Sequence, residues 1–276
     1  MQIEELKAVL PKPDQLAPAQ IEQKAEDLGV AKTNMSFRQS FMLSIMAGAF
    51  ISMGAMFFLL VVGDTGLPFA AQRVLGGILF SCGLMLVVVC GAELFTGNTM
   101  IVMTATAKKI TWGAVLKNWV VVFIGNFVGA LIMVGCVYMA NFQGMNSGQV
   151  GQTIVSVAAG KMTPEWITLF FKGVMCNFLV CLAVWVSYAA KSVVDKVFGV
   201  MLPIAAFVAC GFEHCVANMF FLPFGILLAS VGLGDASVVN WGGALWNWSA
   251  TVPGNIVGGA LFVGMAYYVA YHKKQA

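Results

Sequence analysis

Long apolar runs, separated by short polar segments, make up most of this chain. A helix that crosses a lipid bilayer needs about 20 apolar residues. The runs therefore predict an all-α membrane protein with six transmembrane helices, and the polar segment 143–160 is expected to be a loop. The six runs cover residues 41–62, 74–92, 118–141, 166–190, 197–229 and 241–271, the fifth being interrupted at residues 213 and 214.

Composition supports this prediction. Of the 276 residues 60% are hydrophobic and 10% are charged, whereas a soluble domain carries about 25% charged residues. A soluble enzyme, a disordered chain and a nucleic-acid-binding protein are excluded by this shortage of charge. The seven cysteines all fall inside apolar stretches, where they act as small hydrophobic residues. The charged segment that precedes the first apolar run contains no apolar core typical of a cleavable signal peptide.

Basic residues are distributed unevenly between the two sides of the predicted bundle. Cytoplasmic loops of membrane proteins carry an excess of lysine and arginine, so we expect both termini to lie in the cytoplasm. Arg73 and Lys161 fall on the opposite side, and Lys172 falls inside a span. Twelve basic residues share the side of the termini: Lys7, Lys12, Lys24, Lys32, Arg38, Lys108, Lys109, Lys117, Lys191, Lys196, Lys273 and Lys274.

The segment 19–34, which precedes the first span, has apolar residues at helical spacing among charged ones. It predicts a short amphipathic helix within a cytoplasmic N-terminal segment, residues 1–36. A solvated tail or a helix on the membrane surface is the favoured interpretation. A plug that covers a pore is the alternative.

The chain contains an internal repeat. The pattern Cys-Gly-x-Glu followed four residues later by a small residue and asparagine occurs at 90–98 and at 210–218, and it includes Asn98 and Asn218. Gly-Asn-x-Val-Gly occurs at 125–129 and 254–258, and a weaker match pairs Gly48 with Gly173. Three spans are an odd number, so the second copy enters the membrane from the opposite side. One channel domain, 37–272, is expected, with copies at 37–141 and 163–271 and with spans 2 and 5 broken near the midplane.

Glycines four residues apart in spans 3 and 6 are typical of close helix packing. We expect Asn126 and Asn255, which lie between them, to form hydrogen bonds across helices.

Ionisable residues inside a membrane are functional candidates by default. Glu93 and Glu213 each precede a half-helix, where a carboxylate can accept unpaired backbone N–H groups; this structural role is favoured over contact with a substrate. Lys172 is expected to snorkel or to pair with an acid. His214 stands where the other repeat has Leu94, so the fold does not require a histidine there. A core histidine held by Glu213 or by a backbone carbonyl is the structural alternative, and a metal site formed with Cys210 and Cys215 is less favoured.

These residues carry a resemblance to the formate/nitrite transporter family over nearly the whole chain. The matching motifs are Gly-Ala-Glu-Leu-Phe-Thr-Gly at 91–97, Lys-Asn-Trp at 117–119 with Gly-Asn at 125–126, the segment 177–185, and Gly-Phe-Glu-His-Cys-Val-Ala-Asn-Met at 211–219. The resemblance implies an aquaporin-like protomer in a symmetric homopentamer among membrane lipids. It also implies that each protomer has its own pore for small monovalent anions of weak acids.

The resemblance also assigns residues to the pore. It places His214 with Thr96 at a central site and Asn177 behind them. It implies a cytoplasmic constriction formed by Leu84 and Phe207 and an outer constriction formed by Phe80 and Leu94. Lys161 matches a basic residue at the outer vestibule, and Lys32 matches one at the cytoplasmic entrance.

The expected substrate is formate, whose passage is linked to a proton at His214, and nitrite or hydrosulfide is the alternative. Residues 219–223 resemble formate channels, whereas 94–100 are closer to nitrite channels. A water or glycerol channel would need paired Asn-Pro-Ala motifs, and the sequence contains none. A membrane redox enzyme would need paired ligands, but one histidine lies inside a span. We therefore expect no enzymatic activity, no cofactor, no metal and no nucleic-acid partner.

Overall fold

The computed structural model describes residues 16–64 and 66–272, which form helices joined by short turns and contain no strand. A 3-10 turn, Thr99–Ile101, joins α4 to α5, and a π-helical segment, Val257–Met265, joins α11 to α12. The helices are α1 Pro18–Thr33, α2 Phe37–Val62, α3 Phe69–Cys90, α4 Phe95–Asn98, α5 Val102–Thr106, α6 Trp112–Met139, α7 Gln149–Met162, α8 Trp166–Ala189, α9 Val193–Ala209, α10 Cys215–Ser230, α11 Trp241–Ile256 and α12 Ala266–Tyr271.

Within the described residues, five helical stretches are long and apolar enough to cross a bilayer: α2, α3, α6, α8 and the continuous stretch Trp241–Tyr271. The predicted fifth span corresponds instead to two shorter helices, α9 with 17 residues and α10 with 16. The chain is therefore a multi-pass helical membrane protein. Four of the basic residues counted for its orientation, Lys7, Lys12, Lys273 and Lys274, lie outside the described residues.

Helices α3 and α9 pack against each other in opposite directions. Arg73, near the start of α3, lines the same cavity as Gly211, which follows the end of α9. Gly91, just after α3, lines a second cavity together with Lys196 near the start of α9. We call the side of the second cavity, on which α1 lies, the N-face, and the side of the first cavity the far face.

Both α3 and α9 end at a glycine in the left-handed region, Gly91 at φ 74° and Gly211 at φ 72°, a conformation that residues with a Cβ rarely adopt. After each of these helix interruptions, a further helix packs beneath the short helix that covers one face, α1 on the N-face and α7 on the far face. Thr104 of α5 contacts α1 at the carbonyl of Glu26, and Gly225 of α10 packs against Ala158 of α7. After each interruption the chain therefore returns to the face at which the preceding helix ends. This path differs from that of a single interrupted span.

The prediction of a loop at 143–160 was wrong for most of that segment, because α7 occupies Gln149–Met162. Val150, Ile154 and Ala158 form a buried stripe at a spacing of four residues, while glutamine, glycine, threonine and serine occupy several of the other positions. The low mean hydropathy of the segment concealed this stripe.

The amphipathic helix predicted at the N-terminus is present as α1. It packs on the protein through Ile21, Ala25 and Gly29, which are buried, and a Cβ on Gly29 would overlap the side chain of Thr104. The interpretation as a solvated tail or a membrane-surface helix was therefore wrong.

The glycines of spans 3 and 6 pack closely, as predicted. A Cβ on Gly129 would overlap the carbonyl oxygen of Ile45 in α2, and a Cβ on Gly258 would overlap that of Val174 in α8. Helix α2 with α6, and α8 with the π-helical segment that continues α11, are therefore in backbone contact at equivalent points of the two repeats.

The weak match of Gly48 with Gly173 is out of register. Asn126 donates its Nδ2 to the carbonyl of Ser44, and Asn255 donates its Nδ2 to the carbonyl of Gly173, each at 2.8 Å. Gly173 is thus the counterpart of Ser44, in the same register that pairs Asn126 with Asn255. In this register the counterpart of Gly48 is Asn177.

Helices α1 and α7 are also counterparts, because the register that pairs Asn126 with Asn255 also pairs Lys32 with Lys161, each in the last turn of its helix. We infer that each repeat begins with its short covering helix, at about residues 18 and 149, rather than at 37 and 163 as expected above.

Substitution of Gly129 by alanine should weaken the α2–α6 contact, because the added methyl group collides with backbone rather than with a movable side chain. We expect a loss of about 1–3 kcal/mol, seen as a lower melting temperature of the purified protein in detergent. Gly135→Ala on the same helix is the control, since no atom lies within 4 Å of its Cβ position. Equal melting temperatures for both variants would contradict this packing.

Candidate functional site

The two helix interruptions, after α3 and after α9, meet at one buried hydrogen bond. Thr96 Oγ1 lies 2.9 Å from His214 Nε2, and the two residues are 0% and 3% exposed. Thr96 stands in the first turn of α4, and His214 is the N-cap of α10. The contact joins two positions that are far apart in the chain and brings the breaks together, as the repeat predicted.

The hydrogen bonds of His214 determine its tautomer. The backbone N–H of Ala217 donates to His214 Nδ1 at 3.0 Å, so Nδ1 carries a lone pair and Nε2 carries the proton of a neutral ring. His214 Nε2 therefore donates to Thr96 Oγ1. An imidazolium would have to give up the Ala217 cap, because both of its nitrogens are donors.

Asn177 lies behind this pair in α8. Its Nδ2 donates to the backbone carbonyl of Thr96 at 3.1 Å, to Thr99 Oγ1 at 3.0 Å and to the carbonyl of Asn255 at 2.6 Å. It is fully buried. Asn177 thus ties α4 to α8 and α11, and it holds the backbone of Thr96 rather than facing a cavity.

The polar centre departs from the repeat at each of its three residues. The counterpart of His214 is Leu94, that of Thr96 is Val216, and that of Asn177 is Gly48. The scaffold is therefore nearly two-fold symmetric, whereas the central polar groups are not.

Apolar pairs lie on either side of His214, but not in the arrangement that the resemblance implied. Leu84 and Leu94 line the N-face cavity, and Phe80 and Phe207 line the far-face cavity. The pairing of Leu84 with Phe207 and of Phe80 with Leu94 was therefore wrong. Phe80 and Phe207 contact each other edge to face, with ring centroids 5.7 Å apart.

All four side chains surround a small central chamber with His214, Ile51, Val180 and Ile204. Its volume is about 10 Å³, which is at the lower limit for a single water molecule. The centre between the apolar pairs is therefore closed and close to dry.

A larger cavity opens on each side of this centre. The N-face cavity has a volume of about 340 Å³ and is covered by Lys24, Leu28 and Lys32 of α1. The far-face cavity has a volume of about 260 Å³ and reaches His214 from the opposite side. Both are lined mainly by apolar side chains, together with three basic side chains and one glutamate in each.

The N-face cavity contains a network built on Glu93. Lys32 Nζ lies 2.6 Å from Glu93 Oε1 and 2.9 Å from Asn98 Oδ1. Asn98 Nδ2 donates to Glu93 Oε2 at 2.7 Å and to Asn118 Oδ1 at 2.9 Å. The buried carboxylate is thus compensated by one ammonium and one amide.

The far-face cavity repeats this network around Glu213. Lys161 Nζ lies 3.1 and 3.2 Å from the two carboxylate oxygens. Asn218 Nδ2 donates to Glu213 Oε2 at 2.7 Å and to Asn247 Oδ1 at 2.8 Å. Each face therefore presents a lysine whose charge is paired with a glutamate.

The interpretation of Glu93 and Glu213 as acceptors of unpaired backbone N–H groups was wrong. Asn126 Oδ1 accepts the N–H of Phe95, and Asn255 Oδ1 accepts the N–H of Cys215, each at 2.9 Å. The expected hydrogen bonds of Asn126 and Asn255 across helices are present, and the same amides also satisfy backbone groups at the two helix interruptions. The carboxylates point instead toward the lysines.

Sequence reasoning overlooked Asn118 and Asn247 as members of the two networks. Both precede a tryptophan, and they match each other in the same register as Asn126 and Asn255. A comparison of the two repeats in that single register could have found them.

Arg73 is a further basic group on the far face, and it is held by the backbone carbonyls of Val208 and Ala209. Lys172 lines the same cavity, and the structure does not pair it with an acid among the described residues. Cys210 is exposed and Cys215 is buried, and among the described residues their ligand atoms do not cluster with those of His214.

A buried polar centre, closed by apolar pairs and approached by cavities from opposite faces of a helical membrane bundle, defines a membrane channel or transporter. Residues 19–269 match the family model described as formate/nitrite transporter. The chain belongs to the formate/nitrite transporter family.

Relatives named as channels match most of this chain. It is 40% identical over 275 residues to the formate channel FocA of Escherichia coli (strain K12), covering 94% of this chain and 95% of that protein. It is 37% identical over 261 residues to the formate channel BtFdhC of Bacillus thuringiensis, covering 94% and 97%. A solved pentameric formate channel with formate bound superimposes with a TM-score of 0.76 at 35% identity, covering 86% of this chain and 98% of that one.

Replacement of Asn255 by alanine should destabilise the fold. The substitution leaves the Cys215 N–H and the carbonyls of Gly173 and Glu213 without their shared amide, and each such buried group costs about 1–3 kcal/mol. We expect reduced yield and a lower melting temperature in detergent. Asn34→Ala, on the surface of the N-face, is the control and should match the unmodified protein; a stable Asn255→Ala variant would show that the break needs no cap.

Proposed function

We propose that this protein is a channel for small monovalent anions of weak acids, with formate as the main substrate, and that passage is linked to a proton at the level of His214. The observation that carries the proposal is the Thr96–His214 hydrogen bond beside a chamber of about 10 Å³ that His214 lines, between two cavities whose linings include lysines. The relatives named as formate channels support the choice of formate. Nitrite and hydrosulfide are the alternatives.

The dry centre favours a neutral permeant. Protonating a carboxylate of pKa about 3.7 at pH 7 costs about 4–5 kcal/mol, at about 1.36 kcal/mol per pH unit. Placing a bare charge at the centre of a bilayer costs from about 3 to more than 10 kcal/mol. The smaller the chamber, the less water accompanies the anion. The acid form is therefore the cheaper species between Leu94 and Phe207.

His214 acts as a hydrogen-bond donor in this proposal. Its neutral ring has one proton, on Nε2, and loss of that proton would leave an imidazolate, which is a far stronger base than formate. The Ala217 cap holds the ring in this tautomer. A permeating acid can accept a hydrogen bond from Nε2 and exchange a second one with the hydroxyl of Thr96.

The paired lysines concentrate the anion without trapping it. Lys32 and Lys161 are 19% and 16% exposed, and each is bound to a buried glutamate. An ammonium has three donor hydrogens, so it can bind an anion while it remains paired. Since the glutamate cancels most of its charge, the anion leaves easily or takes up a proton.

We place the N-face in the cytoplasm, with both termini there, and the protein in the inner membrane. The excess of basic residues on this side supports the orientation. We also propose a homopentamer with one pore in each protomer. Large exposed apolar side chains on the outer helices, such as Leu202 at 68% and Leu245 at 64% exposed, provide surface for lipid and for neighbouring copies.

His214→Leu, which introduces the residue of the other repeat, should reduce formate uptake by proteoliposomes strongly, because the central donor is lost. His214→Asn retains an N–H donor and should keep a larger share of the uptake. Stopped-flow measurement between pH 5 and 8 in matched liposomes tests both variants, with nitrite and hydrosulfide run alongside formate.

The pH profile distinguishes the possible proton sources. If the acid form crosses past a neutral His214, uptake by His214→Asn should fall with rising pH in parallel with the unmodified protein. A flat pH profile for His214→Asn would instead make an imidazolium the proton donor. Unchanged rate and unchanged pH dependence in His214→Leu would remove this residue from the mechanism.

Leu84→Ala should widen the apolar pair on the N-face. We expect uptake of acetate to rise relative to formate, because the pair no longer excludes the extra methyl group. Leu116→Ala is the matched control, since Leu116 is 62% exposed on the outside of α6. An unaltered acetate-to-formate ratio in Leu84→Ala would count against a role of this side chain in selection.

A further inference from the structure

A cluster of two glutamates and a histidine lies on the N-face, away from the central site. Glu22 and Glu26 stand one turn apart in α1, and His272 follows the end of α12. His272 Nδ1 is 2.8 Å from Glu26 Oε1 and 3.4 Å from Glu22 Oε1. One ligand atom from each residue lies within 4.8 Å of the other two.

The glutamates are more deeply buried than their surface helix would suggest, with Glu22 2% and Glu26 0% exposed. Within the described part of the chain, Glu22 Oε1 is buried and makes no hydrogen bond. An oxygen buried in this way is costly unless it finds a partner. Because it faces the imidazole and the second carboxylate, it points into the cluster.

The cluster contains two carboxylates, and within the described residues a lysine is paired with only one of them. Glu26 Oε2 is paired with Lys109 Nζ at 2.8 Å, but Lys109 forms no ion pair with Glu22 in the described residues. A cation bound between the two carboxylates would supply the positive charge that Glu22 lacks.

We propose that Glu22, Glu26 and His272 form a binding site for a divalent cation, with zinc as the fitting ion. One imidazole nitrogen and two carboxylate oxygens are ordinary zinc ligands, and in a tetrahedral site their donor atoms lie about 3.3 Å apart. The separations of 2.8 and 3.4 Å bracket that value. His272 is 23% exposed on its side chain, so water can complete the coordination.

The ring of Tyr268 stacks on His272 with centroids 4.3 Å apart and holds the imidazole toward α1. A bound ion would therefore connect α1, which covers the N-face cavity, to the end of the last membrane-spanning helix. The nearby ammonium of Lys109 would oppose the ion by charge repulsion and by competition for Glu26.

Zinc titration of the purified, chelator-treated full-length protein tests the site, with isothermal calorimetry and metal analysis after dialysis as readouts. We expect about one zinc per chain, and Kd should rise at least about tenfold in Glu22→Gln and in His272→Gln. Lys109→Met, which keeps all three ligands, should lower Kd several-fold. Gel filtration of each variant checks that it remains folded.

Asp27→Asn is the matched control. Asp27 lies on the same helix and also pairs with Lys109, but its side chain is 65% exposed and is not part of the cluster. Its Kd should equal that of the unmodified protein. The site is disproved if zinc binding does not saturate, or if Glu22→Gln and His272→Gln bind zinc as tightly as Asp27→Asn.

Discussion

Two buried asparagine amides satisfy the backbone where the helices are interrupted, and the rest of the interior depends on them. A chain that breaks its helix inside a membrane exposes N–H and C=O groups that lipid cannot satisfy. Asn126 accepts the N–H of Phe95 and donates to the carbonyls of Ser44 and Glu93. Asn255 makes the equivalent three bonds at the other break. Because these amides satisfy the broken backbone, Thr96 and His214 can meet at the centre.

The two repeats share one scaffold, but the polar residues at the centre differ between them. Glycines bring α6 against α2 and α11 against α8, and each face has one lysine, one glutamate and two asparagines in the same arrangement. The central groups break the symmetry, because a single donor pair needs only one histidine and one threonine. Leu94 and Val216 fill the corresponding positions with apolar surface.

The covering helices α1 and α7 connect the scaffold with its surroundings. Each supplies the lysine that pairs with the buried glutamate of its cavity, Lys32 or Lys161, so this lysine is carried by a short helix rather than by a spanning helix. Helix α1 additionally contacts the end of the chain through His272. The position of α1 thus depends on buried polar contacts as well as on the apolar stripe beside them.

The sequence by itself determined the helical membrane fold, the repeat and the singular position of His214, because each is encoded in a local pattern or in a match between two such patterns. Glycine spacing predicted the close packing in the same way. Only the tertiary structure decided that Leu94 belongs with Leu84 and Phe207 with Phe80, that asparagines rather than glutamates cap the breaks, and that Asn177 stands in the place of Gly48. These relations join residues from different helices. They depend on which side of a helix faces which neighbour, and no local pattern contains that information.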